Sequence, residues 1–272
     1  MTEGNPRPYI HGYGASEAER LHAQATSVRD LLHGHTRYPA GSAVLEVGCG
    51  TGEQTVSLAR HSPGARIVAF DRETRSLVRA RARVAATALT NVEFHRAELF
   101  SLPFRRQSFD HVFVCFVLEH LTRPLDALVL LKGFLRSGGT ITVFEGDHGS
   151  PFFHPESEAA HRAIRCQVEL QRHAGTNACI GRELYPLLTG AGYANVAVSP
   201  RVVYVDGSHP ELIESFTKGT FIAMVSAVRP HAIAQHLLDA ETFDQGIGDL
   251  YRTANRDGVF FYTFFKGTAT VD

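Results

Sequence analysis

The sequence predicts an α/β fold in which helices cover both faces of a mostly parallel β-sheet. Two observations lead to this class. Short apolar runs alternate with helical segments between residues 43 and 145, which is typical of strand–helix–strand units. A cluster of glycines follows the first run, and an acidic residue ends the second. Right-handed crossovers bring the carboxyl ends of such strands to one edge of the sheet, where ligands bind.

Seven strands are predicted, and most of them are separated by helical segments. The strands are expected over residues 43–47, 66–70, 92–96, 111–116, 139–145, 196–205 and 259–266. The helical segments are expected to end near residue 61 and to cover residues 73–89, 124–135, 156–174, 182–191 and 210–255. Nearer the start of the chain, Ser16 and Glu19 have the spacing of a capping box, which predicts a helix through about Leu32.

The 272 residues are expected to form a single domain, because the segments outside the sheet are too short and interleaved to hold cores of their own. An N-terminal helical lid is assigned to residues 1–40 and the core to residues 41–147. A helical cap is assigned to residues 148–192 and 206–257, and the final strands to residues 193–205 and 258–268.

The composition excludes several classes of protein. The net charge of −1 argues against nucleic-acid binding, which needs a basic face. No apolar run reaches the roughly 20 residues of a membrane span, and the polar N-terminus lacks an apolar signal core, so a cytoplasmic protein is expected. The four cysteines form no CxxC pair, so no metal site is expected.

The segment from Val44 to Gly52 carries the strongest functional signal. It reads VLEVGCGTG, a strand that ends in three alternating glycines before a helix begins. Glycine is required where the backbone turns tightly and a ligand approaches it closely. Asp71 ends the next strand, and an acidic side chain there can accept both ribose hydroxyls of an adenosine.

The glycine spacing separates two classes of ligand. A dinucleotide fingerprint reads GxGxxG, with a pyrophosphate at the helix N-terminus. Here the spacing is GxGxG, and Glu53 stands in place of the third glycine. A carboxylate at this point, together with Glu46 before the turn, disfavours a pyrophosphate and favours a ligand with a cationic amino group. The alternative is a glycine turn that only joins a strand to a helix.

These residues resemble the class I S-adenosylmethionine-dependent methyltransferases. The resemblance covers about residues 40–147 and the later stretch LYPLLTGAGY. Within that superfamily it is similar to the bacterial small-molecule branch, which includes quinone and natural-product methyltransferases. The resemblance implies a Rossmann-like sheet of seven strands with the last strand antiparallel, and S-adenosylmethionine as the cofactor.

The resemblance also implies which residues contact that cofactor. The glycine loop, which runs under the methionine part, contributes Glu46, Gly48, Cys49, Gly50 and Gly52. Further contacts are expected from Asp71 on the ribose, Arg72 beside the adenine, Glu98 on the adenine amine, the backbone N–H of Leu99, and Phe116. In the family an aspartate usually stands where Glu98 stands, so the reach to the adenine differs by one methylene.

The first residues and the cap are expected to complete the site. Tyr13 and Gln24 are expected to fold over the cofactor as a lid, because an aromatic face attracts a sulfonium cation. Substrate contacts are expected from Tyr9, Phe153, Arg182 and Tyr185. The alternative for the N-terminal residues is ordinary packing of an arm.

Methyl transfer is an in-line displacement at a sulfonium carbon, so the protein mainly aligns and desolvates the nucleophile. Where a general base is needed, the candidates follow the fifth strand in the stretch from Glu145 to His154. His148 and His154 are the catalytic candidates. The alternative is that both are polar loop residues that hold the cap by hydrogen bonds.

The predicted function is methyl transfer to a small-molecule acceptor, an aromatic or apolar natural-product-type metabolite methylated on C, N or O. One alternative is an RNA or protein methyltransferase. Two observations weaken this alternative. The net charge is close to neutral, and the sequence after strand four reads CFVL, where amino-group methylases of nucleic acids tend to carry Asn-Pro-Pro-Tyr. A second alternative is a protein that binds the cofactor without transferring its methyl group. An NAD-dependent dehydrogenase is the weakest alternative. A homo-oligomer is compatible with the sequence.

Overall fold

The structure is a computed structural model that describes Val28, Leu32 and residues 35–272. These residues belong to two compact units. The sheet unit comprises described residues within 28–147, 179–203 and 263–272, and the cap unit comprises residues 148–178 and 204–262. Nearly all of the predicted N-terminal helix lies outside the described residues.

Strands and helices alternate through the first half of the described chain. In chain order the elements are β1 (Ala43–Val47), α1 (Glu53–His61), β2 (Arg66–Asp71), α2 (Thr74–Ala85), β3 (Val92–Arg96), β4 (Phe109–Cys115), α3 (Pro124–Lys132), β5 (Leu135–Gly146), β6 (Phe152–His154), α4 (Glu158–His173), α5 (Leu184–Gly190), β7 (Ala194–Asp206), α6 (Pro210–Leu212), a π-helix (Ile213–Ile222), α7 (Ala223–Ala227), α8 (Arg229–Ala234), α9 (Ala240–Arg252) and β8 (Val259–Thr270). Two 3₁₀ turns cover Leu118–His120 and Ile180–Glu183.

The sheet unit contains a Rossmann-like sheet, as predicted. Its strand order is β3-β2-β1-β4-β5-β8, and β7 also pairs with β8. The first five strands of that order are parallel, and residues 264–270 of β8 run antiparallel to β5. The carboxyl ends of β1, β2, β3, β4 and β5 therefore lie at one edge.

The central strands are apolar because they are buried on both faces. All five residues of β1 are buried, and Val44 and Leu45 have no exposed surface. This is the pattern of a parallel strand covered by helices on both sides. In β3, at the edge of the sheet, Glu93 and Arg96 are exposed, which explains why its sequence is more polar.

The described residues contain eight strands where seven were predicted. The additional strand is β6, which pairs with residues 259–261 of β8 in the cap unit. Only Phe153 of its three residues is buried, so the sequence carries no clear strand pattern there. The predicted helical stretch 210–255 is divided into four α-helices and the π-helix.

The two units divide the chain differently from the predicted segments. Residues 204–205 and 258–262, which were expected in the final strands, group with the cap unit, and residues 179–192, which were expected in the cap, group with the sheet unit. The 3₁₀ turn there begins against β5, since a Cβ on Gly181 would lie 2.7 Å from the carbonyl oxygen of Gly146. The arrangement of the chain as one domain stays a prediction. In the part of the chain that the structure describes, no helix combines the length and the apolar character needed to cross a membrane.

Candidate functional site

The loop between β1 and α1 is built from left-handed backbone conformations. Gly48, Gly50 and Gly52 have φ values of 63°, 51° and 81°. Residues other than glycine rarely adopt this backbone conformation, because their Cβ approaches the neighbouring backbone too closely. The alternation of glycines in the sequence is therefore a direct requirement of the turn.

The three glycines face different surroundings. A Cβ on Gly48 would lie 2.9 Å from Cγ2 of Val117, and a Cβ on Gly52 would lie 2.9 Å from Cα of Ala80 in α2. A Cβ on Gly50 would meet no atom within 4 Å. Gly48 and Gly52 thus permit close packing of the loop, whereas Gly50 faces open space, as a ligand-facing position requires.

Asp71 ties the loop to the next strand–helix unit. Its Oδ2 accepts a hydrogen bond from the Gly50 N–H at 2.8 Å, and its Oδ1 accepts one from the Glu73 N–H at 2.8 Å. Burial raises the pKa of Asp71, although these two hydrogen bonds act in the opposite direction. Each carboxylate oxygen carries a further lone pair, so the predicted ribose contact is compatible with these bonds.

Glu46 is buried in the centre of the sheet. Its residue exposure is 2%, and its Oε2 has no hydrogen-bond partner among the described residues. Burial raises the pKa of Glu46 to about 8, and the negative charge of Asp71 acts in the same direction. Cys49 is also buried, and its N–H donates to the Phe70 carbonyl oxygen at 2.9 Å. Burial raises the pKa of the Cys49 thiol, so the group is an unreactive part of the loop.

Glu53 forms an ion pair with Arg83 of α2. Arg83 also donates from Nε to the Thr51 carbonyl oxygen at 3.1 Å. The positive charge of Arg83 reduces the repulsion that Glu53 would exert on a pyrophosphate. The distinction from a dinucleotide site therefore depends on the glycine spacing and on Glu46.

The predicted adenine contacts follow β2 and β3, which are neighbouring strands. Arg72 is exposed directly after Asp71, and its carbonyl oxygen accepts a hydrogen bond from Arg96 Nε at 3.3 Å. Arg96 lies opposite Asp71 in the register of the two strands. Glu98, two residues later, is exposed, and Leu99 packs against the main hydrophobic core. The structure thus brings these segments to the same edge, and their contacts with a cofactor stay predictions.

The turn after β4 is held by Glu145, a residue predicted only as part of the stretch that contains the candidate bases. Phe116 has a φ of 56°, and its ring lies 5.4 Å from the ring of Phe264. The next two N–H groups, of Val117 and Leu118, donate to Oε1 of Glu145 at 2.9 and 2.7 Å. Glu145 has no exposed surface. The 28-residue separation between Glu145 and Val117 explains why no local motif revealed this contact.

The predicted substrate residues are divided between the two units. In the sheet unit, Arg182 donates from Nε and Nη2 to both oxygens of Asp147, at 2.6 and 2.7 Å, and Tyr185 is 56% exposed. In the cap unit, Phe153 is buried with its ring 4.6 Å from the ring of His161. Tyr9, Tyr13 and Gln24 lie outside the described residues.

The two candidate bases, both in the cap unit, differ in burial. His148 is 8% exposed, and its Nδ1 lies 3.1 Å from the hydroxyl of Tyr262. The ring of Tyr262 in turn lies 5.8 Å from that of Phe216 and 5.7 Å from that of Phe221. His154 is exposed on β6. The sequence predicts Tyr262 in an aromatic strand that is mostly core and could also shape a substrate pocket, but an aromatic strand gives no sign of a polar partner.

A family model described as a methyltransferase domain matches residues 44–139. A demethylmenaquinone methyltransferase of Clavibacter sepedonicus is 36% identical over 106 residues, which cover 39% of this chain and 42% of the relative. An uncharacterized 37.1 kDa protein in transposon TN4556 of Streptomyces fradiae is 28% identical over 202 residues, which cover 73% of this chain and 57% of the relative. The chain spans about half the length of the curated relatives it matches.

The fold is shared with solved structures of low sequence identity. Phosphoethanolamine N-methyltransferase 2 of Haemonchus contortus, in complex with phosphomonomethylethanolamine and S-adenosylhomocysteine, matches with a TM-score of 0.61 at 13% identity, over 97% of this chain and 60% of that chain. The sheet order, the glycine loop and the family match lead to one assignment. Residues 44–139 form a methyltransferase domain.

Proposed function

We propose that this protein transfers the methyl group of S-adenosylmethionine to a small-molecule acceptor of aromatic or apolar, natural-product type. One observation carries the proposal. The left-handed loop after β1 turns the open side of Gly50 away from packed atoms, and Asp71 at the end of β2 holds the Gly50 N–H. A preformed loop of this kind can accept the cofactor without a large ordering cost.

The chemistry asks little of the protein beyond alignment and exclusion of water. The sulfonium carbon is already activated, so a correctly placed nucleophile displaces the thioether directly. Buried Glu46, before the loop, ionises more readily when a positive charge lies beside it, and this linkage favours a cationic ligand. The predicted contacts of Asp71, Arg72, Glu98, Leu99 and Phe116 would then hold the adenosine part.

A small acceptor is supported by two observations. The net charge of −1 gives the chain no overall basic character for binding a polyanion. The curated relative from Clavibacter sepedonicus is named as a methyltransferase of demethylmenaquinone, which is a small apolar molecule. The labelling assay described below distinguishes methyl transfer to carbon, to nitrogen and to oxygen.

For an acceptor that must lose a proton, we propose His148 as the base in preference to His154. The hydrogen bond to Tyr262 orients the His148 ring within a buried setting, and a fixed orientation is what proton transfer requires. His154 is exposed and therefore less restricted in orientation.

Calorimetric titration with S-adenosylhomocysteine and with NADH tests the cofactor class. We expect binding of S-adenosylhomocysteine and none of NADH; tight binding of NADH alone would reverse the proposal. Incubation with cofactor labelled on the methyl group and a pool of metabolites then tests transfer. Binding without label transfer to any acceptor would point to a cofactor-binding protein that does not transfer methyl groups.

A further inference from the structure

We propose that Glu145 is a positioning residue for the cofactor loop, because it fixes the turn after β4 whose Val117 side chain supports Gly48. The inference rests on the proposed function, since it assigns a role in cofactor binding. All of its steps lie within the sheet unit.

The first step is the hydrogen bonding of the turn. Oε1 of Glu145 accepts the N–H groups of Val117 and Leu118 at 2.9 and 2.7 Å. These groups lie at the start of the 3₁₀ turn Leu118–His120, where N–H groups have no partner within the helical turn itself. Glu145 is fully buried, so water cannot replace it, and a buried N–H group without a partner is costly.

The second step is the backbone of Phe116. Its φ of 56° is disfavoured for a bulky residue and persists only where surrounding contacts enforce it. Its N–H donates to the Phe144 carbonyl oxygen at 2.9 Å. Adjacent residues of β5, Phe144 and Glu145, therefore hold three consecutive N–H groups of the turn.

The third step connects the turn to the glycine loop. A Cβ on Gly48 would lie 2.9 Å from Cγ2 of Val117, so the Val117 side chain already lies against the Gly48 backbone. A shift of the turn would change the space next to the first loop glycine. Glu145 thus acts on the loop through Val117 and touches neither cofactor nor acceptor in this role.

The role requires an acceptor oxygen, and glutamine can supply one. Oε2 of Glu145 has no hydrogen-bond partner among the described residues, and burial together with the nearby Glu119 raises the pKa of Glu145. Glu145→Gln keeps the Oε1 position and removes the buried acid, whereas Glu145→Ala removes both accepted hydrogen bonds.

The test compares the dissociation constant for S-adenosylhomocysteine with the thermal unfolding midpoint in four variants. Loss of two buried hydrogen bonds in Glu145→Ala is expected to weaken binding about tenfold or more, while Glu145→Gln should stay within about threefold of the wild type. Val117→Ala keeps both N–H bonds and removes the side chain against Gly48, so it should weaken binding by about three- to tenfold. The control is Asp110→Ala. In the wild type, the Asp110 carboxylate accepts the Ala43 N–H at 2.8 Å, at the opposite end of β1 from the glycine loop.

The control should lower the unfolding midpoint and leave the affinity for S-adenosylhomocysteine unchanged. Wild-type affinity in both Glu145→Ala and Val117→Ala would overturn the inference, as would a Glu145→Gln variant that binds as weakly as Glu145→Ala. If Glu145→Ala does not fold, Val117→Ala and Glu145→Gln decide the question. A wild-type protein that binds no S-adenosylhomocysteine would instead contradict the proposed function.

Discussion

The buried carboxyl group of Glu46 predicts a specific dependence of stability on pH. Burial raises its pKa from 4.5 to about 8 in the folded protein. Between these values the folded state holds a proton that the unfolded state has released. The contribution of this proton to the free energy of unfolding is fully present below pH 4.5 and is lost as the pH rises through about 8.

Glu46→Gln removes this titration while it keeps the shape of the side chain. Each pH unit within the window changes the free energy of unfolding by at most about 1.4 kcal/mol. Between pH 6 and pH 8 the wild type should therefore lose about 2 kcal/mol relative to the variant, because the slope flattens near the folded pKa. The glutamine variant should be the more stable protein at pH 8, since it carries no buried charge.

Urea unfolding of both proteins at several pH values measures this difference, and titrations common to both cancel. Glu93→Gln is a matched control, because Glu93 lies on β3 with its side chain 52% exposed. The difference between the control and the wild type should stay within about 0.5 kcal/mol over the same pH range. A difference between wild type and Glu46→Gln that does not change from pH 6 to pH 8 would refute the reasoning, because it would mean that Glu46 is ionised throughout.

Three further predictions concern the loop and the candidate base. Asp71→Ala removes the acceptor of the Gly50 N–H and the predicted ribose contacts, so calorimetry should show a loss on the order of 1–3 kcal/mol in S-adenosylhomocysteine binding; unchanged affinity would mean that Asp71 is misassigned. Gly50→Val should abolish that binding while the protein stays folded, whereas Gly52→Val should mainly lower the unfolding midpoint because its Cβ would lie 2.9 Å from α2; normal cofactor binding by Gly50→Val would contradict the loop assignment. Tyr262→Phe removes the hydroxyl bonded to His148 and should lower kcat about tenfold or more, with little change in cofactor affinity; an unchanged kcat with an acceptor that must be deprotonated would count against His148 as the base.

The part of the fold that could be predicted from the sequence is the part that local patterns determine. The five residues of β1 are apolar or buried without interruption, and the glycines after them need positive φ, so both features leave a direct trace in the sequence. The end of β2 could also be located from the sequence, because the acidic residue Asp71 ends its apolar run. These residues define the loop and its hydrogen-bonded neighbour, which is the basis of the cofactor prediction.

Contacts between distant segments could not be predicted in this way. The ion pair of Glu53 with Arg83 joins two helices, and the bond of Glu145 to Val117 joins residues 28 positions apart. The strand β6 has three residues and one buried side chain, too few to establish a period. Each of these features depends on which elements pack together, and that information is distributed over the whole chain rather than contained in one motif.

The acidic groups around the loop fall into two physical classes. Asp71 and Glu145 accept backbone N–H groups, so they shape the loop and the turn beside it before any ligand binds. Glu46 differs, because burial raises its pKa to about 8 and the opposing contribution comes from the Thr55 side chain rather than from a backbone N–H. A positive charge placed beside such a group lowers its pKa and favours its ionised form. We therefore expect a bound cationic cofactor to ionise Glu46, whereas a diphosphate would keep it protonated, and Glu53 with its Arg83 partner contributes less to this distinction.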